Sequence, residues 1–280
     1  MRIARFVAAG ADPAYGIVEL AADGGRHPDT IAAISADPLA GPVNFTGVRH
    51  RLDEVRLLAP VIPRSKIVAV ARNYVAHAAE LGDEVDREPL LFLKPNTSVI
   101  GPGESIVKPA ETDDLHYEGE LAVVIGRICH QVPPERAGEV VFGFTCANDV
   151  TARDIQRAES QWTRAKGFDT FCPLGPWIAA HIDLDGAGRL GIRTRIDDEL
   201  RQDGNTADMV HPIAELIACI SGFTTLLPGD VILTGTPAGV GPMGPGQQVS
   251  VEIDSIGALT NPVIGADDDH SFAEGGPAVR

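Results

Sequence analysis

Short apolar runs broken by Gly, Pro and Asp dominate the chain, and few stretches carry the three- and four-residue spacing of an amphipathic helix. Alternating pieces at residues 2–7 and 15–20 predict a small β-rich leader. The Pro-bounded stretch 59–63 marks a boundary, and an apolar strand follows at 65–70. Residues 71–82 read as a short helix that Gly82 can end in a left-handed conformation. Strands are then expected at 89–94, through Val107 after the Gly101-Pro102-Gly103 turn, at 117–125 and at 140–148. The Thr151/Asp154 spacing predicts a capping box and a helix running towards Gln161. Residues 162–177 read as a loop, 191–209 as a hairpin turning at Asp203-Gly204, and 212–220 as a core helix with Pro in its first turn. Strand 230–233, a glycine-rich loop at 234–241 and a last strand at 248–253 complete the body, and the acidic tail from Gly265 reads as flexible. The sum is a strand-rich α+β protein, with a leader over 1–62, a main domain over 63–264 and a tail over 265–280.

Composition narrows the classes. A chain of 280 residues with 44% hydrophobic content can bury a real core. Its net charge of -16 disfavours nucleic acid and anionic membranes as partners. Cys129, Cys146, Cys172 and Cys219 show no CxxC pairing, which argues for reduced thiols and against structural zinc. Neither a signal segment nor a membrane-spanning run is found, so a cytoplasmic location is expected.

Charged residues within the apolar runs carry the candidate chemistry. The two-residue period of a strand puts Glu118 and Glu120 on one face, and Asp149 ends the neighbouring run. Three carboxylates without His or Cys suit a hard cation: magnesium first, manganese next, calcium least. A solvated strand face with Asp149 capping a helix fits the spacing equally well. His77 and Glu80 share a helix face, either as a surface ion pair or as a dyad that moves a proton. Lys94 reads as an ordinary surface lysine, whereas Lys166 and Thr170 lie on a loop rich in Gly and Pro. The glycine-rich loop is either a connection or a ligand cradle, and it lacks the GKS/T of a phosphate loop.

Read together, Arg72-Asn73-Tyr74 with His77 and Glu80, Phe92-Leu93-Lys94-Pro95, His116-Tyr117-Glu118-Gly119-Glu120-Leu121, Asn148-Asp149-Val150-Thr151-Ala152-Arg153-Asp154, Lys166-Gly167-Phe168-Asp169-Thr170, and Pro228-Gly229-Asp230 with Thr234-Gly235-Thr236-Pro237 closely resemble the fumarylacetoacetate hydrolase family. These pieces occur in the family's order and span about residues 63–262.

The resemblance implies a mixed β-sheet rolled into a partly open barrel or sandwich, usually a homodimer. It implies Glu118, Glu120 and Asp149 as metal ligands, Lys166 and Thr170 beside them, Arg72, Gln156 and Thr236 as substrate contacts, and His77 with Glu80 as a general-base pair. Larger members add a carboxylate from an N-terminal domain, and this chain has no counterpart.

A small anionic 2-oxo or 2-hydroxy acid is the substrate so implied. In the expected reaction His77 activates a water that attacks the distal carbonyl of an acylpyruvate-like β-diketo acid, and Lys166 and Gln156 steady the developing oxyanion. The alternatives are isomerisation of a 2-hydroxyhepta-2,4-diene-1,7-dioate-type substrate, decarboxylation of a β-keto acid, or a binding protein without catalysis.

Overall fold

The computed structural model describes residues 1–21, 27–80, 82, 85 and 87–268. Strand Gly119–Ile125 runs through its centre, every residue buried. Alternation sends Leu121, Val123 and Ile125 to a core shared with Ile213, Leu216, Ile217 and Ile220 of helix Ile213–Phe223. Ala122 and Val124 face a second core with Ile67, Ala69, Val231 and Leu233. Burial on both faces explains why this run is continuously apolar rather than alternating.

The strand belongs to a mixed sheet of twelve strands. From one edge its order is Phe45–Arg51, Thr30–Ile34, Ala14–Glu19, Arg2–Ala8, Cys172–Ala179, Val141–Asn148, Gly119–Ile125, Val231–Leu233, Ile67–Ala71 and Leu90–Lys94, with Val55–Leu58 and Val99–Ile100 paired off this path. The leader strands continue this sheet, because Arg2 and Ile3 pair with Ala179 and Ile178. A five-stranded sheet runs Glu199–Asn205, Gly191–Ile196, Gln248–Ile253, Gly257–Gly265 and Ile106–Lys108, and a small sheet joins Thr151–Ala152, Leu115–Tyr117 and Gly241–Pro242. Among the described residues none of the sheets closes into a barrel. Among the described residues no helix is long and apolar enough to cross a membrane.

Several elements differ from the expectation. The hairpin turns at Asp197-Asp198, where Ile196 pairs with Glu199 and Asp197 takes φ 53°. A short polar side chain tolerates that backbone, whereas Gly204 lies in the strand because a Cβ there would come within 2.6 Å of Pro237. Gln248–Ile253 is not the last strand; Gly257–Gly265 follows and pairs with it along its length. The predicted loop 162–177 holds a helical turn, Thr163–Gly167, and the start of strand Cys172–Ala179.

The helix after Asp149 spans Arg153–Ala158 without a side-chain cap. Thr151 Oγ1 donates instead to the Asp149 carbonyl, and Asp154 accepts from Thr112 Oγ1 and the Asp113 amide. Most of the predicted tail, residues 269–280, lies outside the described residues.

Candidate metal and substrate site

Strand register delivers the carboxylates to one place. Gly119 pairs with Asn148, Ala122 with Leu233, and Leu233 with Ala69, so residues 118–120, 148–149, 234–236 and 71–72 gather at one end of the central strands. Asn148 Oδ1 accepts the Glu118 amide, and the Asp149 amide donates to the Glu118 carbonyl, which fixes the two acids across the strand end. Gly235 donates its N–H to Glu120 Oε2 at 2.7 Å from a backbone with φ +94°. Only glycine suits that position, since a Cβ would lie 2.7 Å from Asn73.

Glu118, Glu120 and Asp149 are buried, and one carboxylate oxygen from each lies within 4.8 Å of the others. Lys166 Nζ donates to Asp149 Oδ2 at 2.5 Å and to Glu118 Oε2 at 3.0 Å. Lys94 Nζ donates to Asp149 Oδ1 at 2.5 Å and to the Lys166 carbonyl at 2.6 Å, and it is 2% exposed rather than on the surface. Arg153 Nη2 lies 2.5 Å from Glu118 Oε1.

Burial works against the charge of Glu118, but Lys166 and Arg153 outweigh it and hold this carboxyl well below its usual range. Glu120 behaves oppositely: burial, then the charges of Asp149 and Glu118, push it far above the usual carboxylate range. Lys166 pulls the other way without offsetting them, so a buried carboxylate with one backbone donor and two anionic neighbours is short of positive charge, which a divalent cation would supply. The donor set is all oxygen, so the residues present fit a hard divalent cation.

These acids floor a cavity of roughly 410 Å³. Arg72, His77, Glu80, Gln156, Lys166 and Thr236 all line it with the three carboxylates, so the structure brings together every one of these candidates. Thr170 does not reach the wall; its hydroxyl accepts the Val107 amide. Thr236 Oγ1 donates to the Gly119 carbonyl and accepts from Gln202 Nε2, so its hydroxyl proton is already engaged. Phe92 and Trp162 form an apolar wall, packed edge to face, with Lys166 Nζ 5.1 Å from the Phe92 ring centre.

Helix Val75–Glu80 carries the dyad candidates. His77 Nδ1 is 3.6 Å from Glu80 Oε2, beyond hydrogen-bond length, and this nitrogen is buried without a partner. Glu80 instead accepts the Gly239 N–H, at 3.1 Å to the nearer oxygen. Burial lowers the His77 pKa from its ordinary 6.5, outweighing the upward pull of Glu118. Burial thus favours the neutral imidazole.

Sequence reasoning gave no site role to Lys94, Arg153 or Gln202. Lys94 closes an apolar strand and Arg153 opens a helix, positions that a surface side chain would occupy equally well. The signal that could have found the first two is their place inside the quoted motifs.

Comparison with known proteins places the site in a group. Residues 66–264 match the family model described as fumarylacetoacetate (FAA) hydrolase C-terminal, and residues 1–60 match an Rv2993c-like N-terminal model. An isomerase structure from Mycobacterium smegmatis, 5-carboxymethyl-2-hydroxymuconate delta-isomerase, superposes with a TM-score of 0.85 at 46% identity, covering 95% of this chain and all of that one. Oxaloacetate tautomerase YisK of Bacillus subtilis is 42% identical over 76% of this chain and 75% of its own. Maleylpyruvate hydrolase from Sphingobium sp. SYK-6, solved with manganese(II) and pyruvate, gives a TM-score of 0.76 at 33% identity, covering 95% of this chain and 99% of that one. With the motifs, the carboxylate site and these matches in agreement, the chain belongs to the fumarylacetoacetate hydrolase family and is an enzyme of that family.

Proposed function

We propose that this enzyme moves a proton at the carbon beside the keto group of a small 2-oxo dicarboxylic acid, interconverting keto and enol forms or double-bond isomers. The single observation that carries this reading is the placement of His77: buried on the cavity wall, with Nδ1 lacking a hydrogen-bond partner and Glu80 held by Gly239. Such an imidazole is a free-standing base that can take a proton from carbon or return it. The isomerase and tautomerase relatives support the same choice.

Glu118, Glu120 and Asp149 would hold a divalent cation, magnesium or manganese, which when bound supplies Lewis-acid stabilisation of negative charge on the substrate's 2-oxo oxygen. Lys166 and Arg153 offset the surplus of carboxylates and suit an anionic ligand. Arg72 and Arg157, also on the cavity wall, give a second carboxylate cationic neighbours. Phe92 and Trp162 exclude water from one side of the reacting carbons.

Hydrolysis of a carbon–carbon bond in an acylpyruvate-like acid is the second reading, favoured by the 3.6 Å approach of Glu80 to His77. It needs Glu80 to leave Gly239 and orient the imidazole towards a water. Proton NMR in D2O with magnesium, presenting oxaloacetate and an acylpyruvate in turn, separates the two. Rapid enzyme-dependent deuteration at C3 of oxaloacetate, lost in His77→Ala, is the expected result. Cleavage of acylpyruvate to pyruvate and a carboxylic acid, with no catalysed exchange, would replace the first reading by the second.

A further inference from the structure

Behind the cavity wall a chain of polar groups leads away from Arg153. Its Nε–H donates to His116 Nδ1 at 3.3 Å, and its Nη1 donates to Gln156 Oε1 at 2.8 Å. On the far side of the ring, His116 Nε2 lies 2.9 Å from Asp114 Oδ1, and the other oxygen of Asp114 accepts from Arg157 Nη2 at 2.6 Å. We propose that His116 is a positioning residue: accepting from Arg153 at Nδ1 and fixed by Asp114 at Nε2, it holds the Arg153 guanidinium in the plane from which that group meets the substrate. The proposal rests on the anionic-substrate reading of the cavity.

The donor arithmetic fixes the tautomer. A guanidinium has only N–H donors, so His116 Nδ1 must be the accepting nitrogen, and the proton sits on Nε2, opposite the carboxylate. The backbone holds the two residues side by side: His116 pairs with Thr151, and the Arg153 amide donates to the Asp114 carbonyl at 2.8 Å. Alternation sends Leu115 and Tyr117 into an apolar cluster and leaves His116 on the opposite face.

A guanidinium has other ways to sit, which gives the imidazole something to decide. Glu118 Oε1 is 2.5 Å from Nη2, yet that buried nitrogen has no aligned hydrogen-bond acceptor. Left to the carboxylate alone, Arg153 would turn from this single close contact into a paired fork across both Glu118 oxygens, competing with Lys166 at Oε2. Acceptance at Nε by His116 and at Nη1 by Gln156 opposes that rotation. Nη2 then keeps its ion-pair contact with Glu118 Oε1 at the cavity wall, where a ligand oxygen could supply an aligned acceptor.

Two measurements test the assignment. The first needs neither metal nor substrate: two-bond 15N–1H correlation spectra of histidine-labelled protein should show the His116 proton on Nε2 and none on Nδ1, and a proton on Nδ1 would overturn it. In the second, oxaloacetate exchange kinetics are compared for His116→Asn, His116→Leu, Arg153→Lys and the His116→Leu/Arg153→Lys double variant, each first checked for a parental melting transition. Asn keeps an acceptor near Nδ1 and should stay within a few-fold of the parent. Leu should lower kcat/KM about tenfold to a hundredfold, the effect of one hydrogen bond to a charged group. In the Arg153→Lys background, which has no Nε–H fork, the Leu change should add little. Equal losses for Asn and Leu, or full additivity in the double variant, would show that His116 does not act through Arg153. A parent protein without exchange activity would count against the function proposed above, while the tautomer measurement would still decide this one.

Discussion

Lys94 Nζ and Asp149 Oδ1 meet at 2.5 Å, with the lysine side chain fully buried and the aspartate 1% exposed. Lys94 reaches Asp149 from strand Leu90–Lys94, three strands beyond Gly119–Ile125, the one that carries Glu120. It fixes one oxygen of Asp149, while the other faces Lys166.

Removing Lys94 leaves Asp149 with Lys166 as its remaining cation, so its charge is only partly compensated. Lys94→Met is therefore expected to lower unfolding free energy by about 1.5–3 kcal/mol, the worth of a buried hydrogen bond to a charged group, measured by urea denaturation. The loss should be much smaller in Lys94→Met/Asp149→Asn, where no charge is stranded. A single variant as stable as the parent would show that this pair does not organise the site.

The acid set gives a binding prediction. Glu118→Gln keeps the shape and removes one anionic ligand, so manganese affinity by calorimetry should fall at least tenfold, together with exchange activity. The parent should melt higher with magnesium present, since a ligand at a hundred times its Kd adds about 2.7 kcal/mol of stability. Unchanged affinity in Glu118→Gln, or no shift with any divalent cation, removes the metal assignment.

His77 links pH to both stability and rate. Its folded pKa lies below the ordinary 6.5 because burial disfavours the charged ring. Above pH 6.5 both states hold it neutral; as pH falls below 6.5 the unfolded chain takes up a proton that the folded chain refuses, and stability declines until pH passes the lowered folded value. The difference in melting temperature between the parent and His77→Asn should therefore change between pH 7 and 5, with the parent losing more. In the rate profile the acid limb that reports the base should sit below pH 6.5. An acid limb above that value would mean that Glu80 engages and charges the imidazole during turnover.

Much of this site was legible because strand chemistry is local. A period of two put Glu118 and Glu120 together, and an apolar run ending in Asn148-Asp149 announced a strand end. What could not be read was reach across the sheet. Nothing in a strand of sequence LLFLK says that its lysine meets an acid at the end of a strand four places along the sheet, and nothing in the Arg153 helix says that its side chain turns inward to Glu118. The Asp203-Gly204 turn failed for a related reason: Gly204 is small because Pro237 of a distant loop presses on it, not because the chain reverses there. Thr151 and Asp154 had the spacing of a capping box, but Glu118 and Thr112 compete for their side chains.

Gln202 is the clearest case of such non-local support, and it yields the last prediction. It is fully buried on strand Glu199–Asn205, accepts the Gly119 amide at Oε1, and donates from Nε2 to Thr236 Oγ1 at 2.7 Å and the Pro237 carbonyl at 2.8 Å. One amide side chain thus joins the residue between the two glutamates to the glycine-rich loop whose Gly235 N–H holds Glu120. Leucine at this position fills similar space and strands the Gly119 N–H, so Gln202→Leu should cost about 1–3 kcal/mol in unfolding free energy for that donor. Because Glu120 is then less firmly placed, manganese affinity should fall as well, although Gln202 touches none of the three acids. Gln202→Glu adds a second check: a fully buried carboxylate facing the Pro237 carbonyl is tolerated only when protonated, so this variant should lose further stability as pH rises above the usual carboxylate range, whereas Gln202→Leu should not.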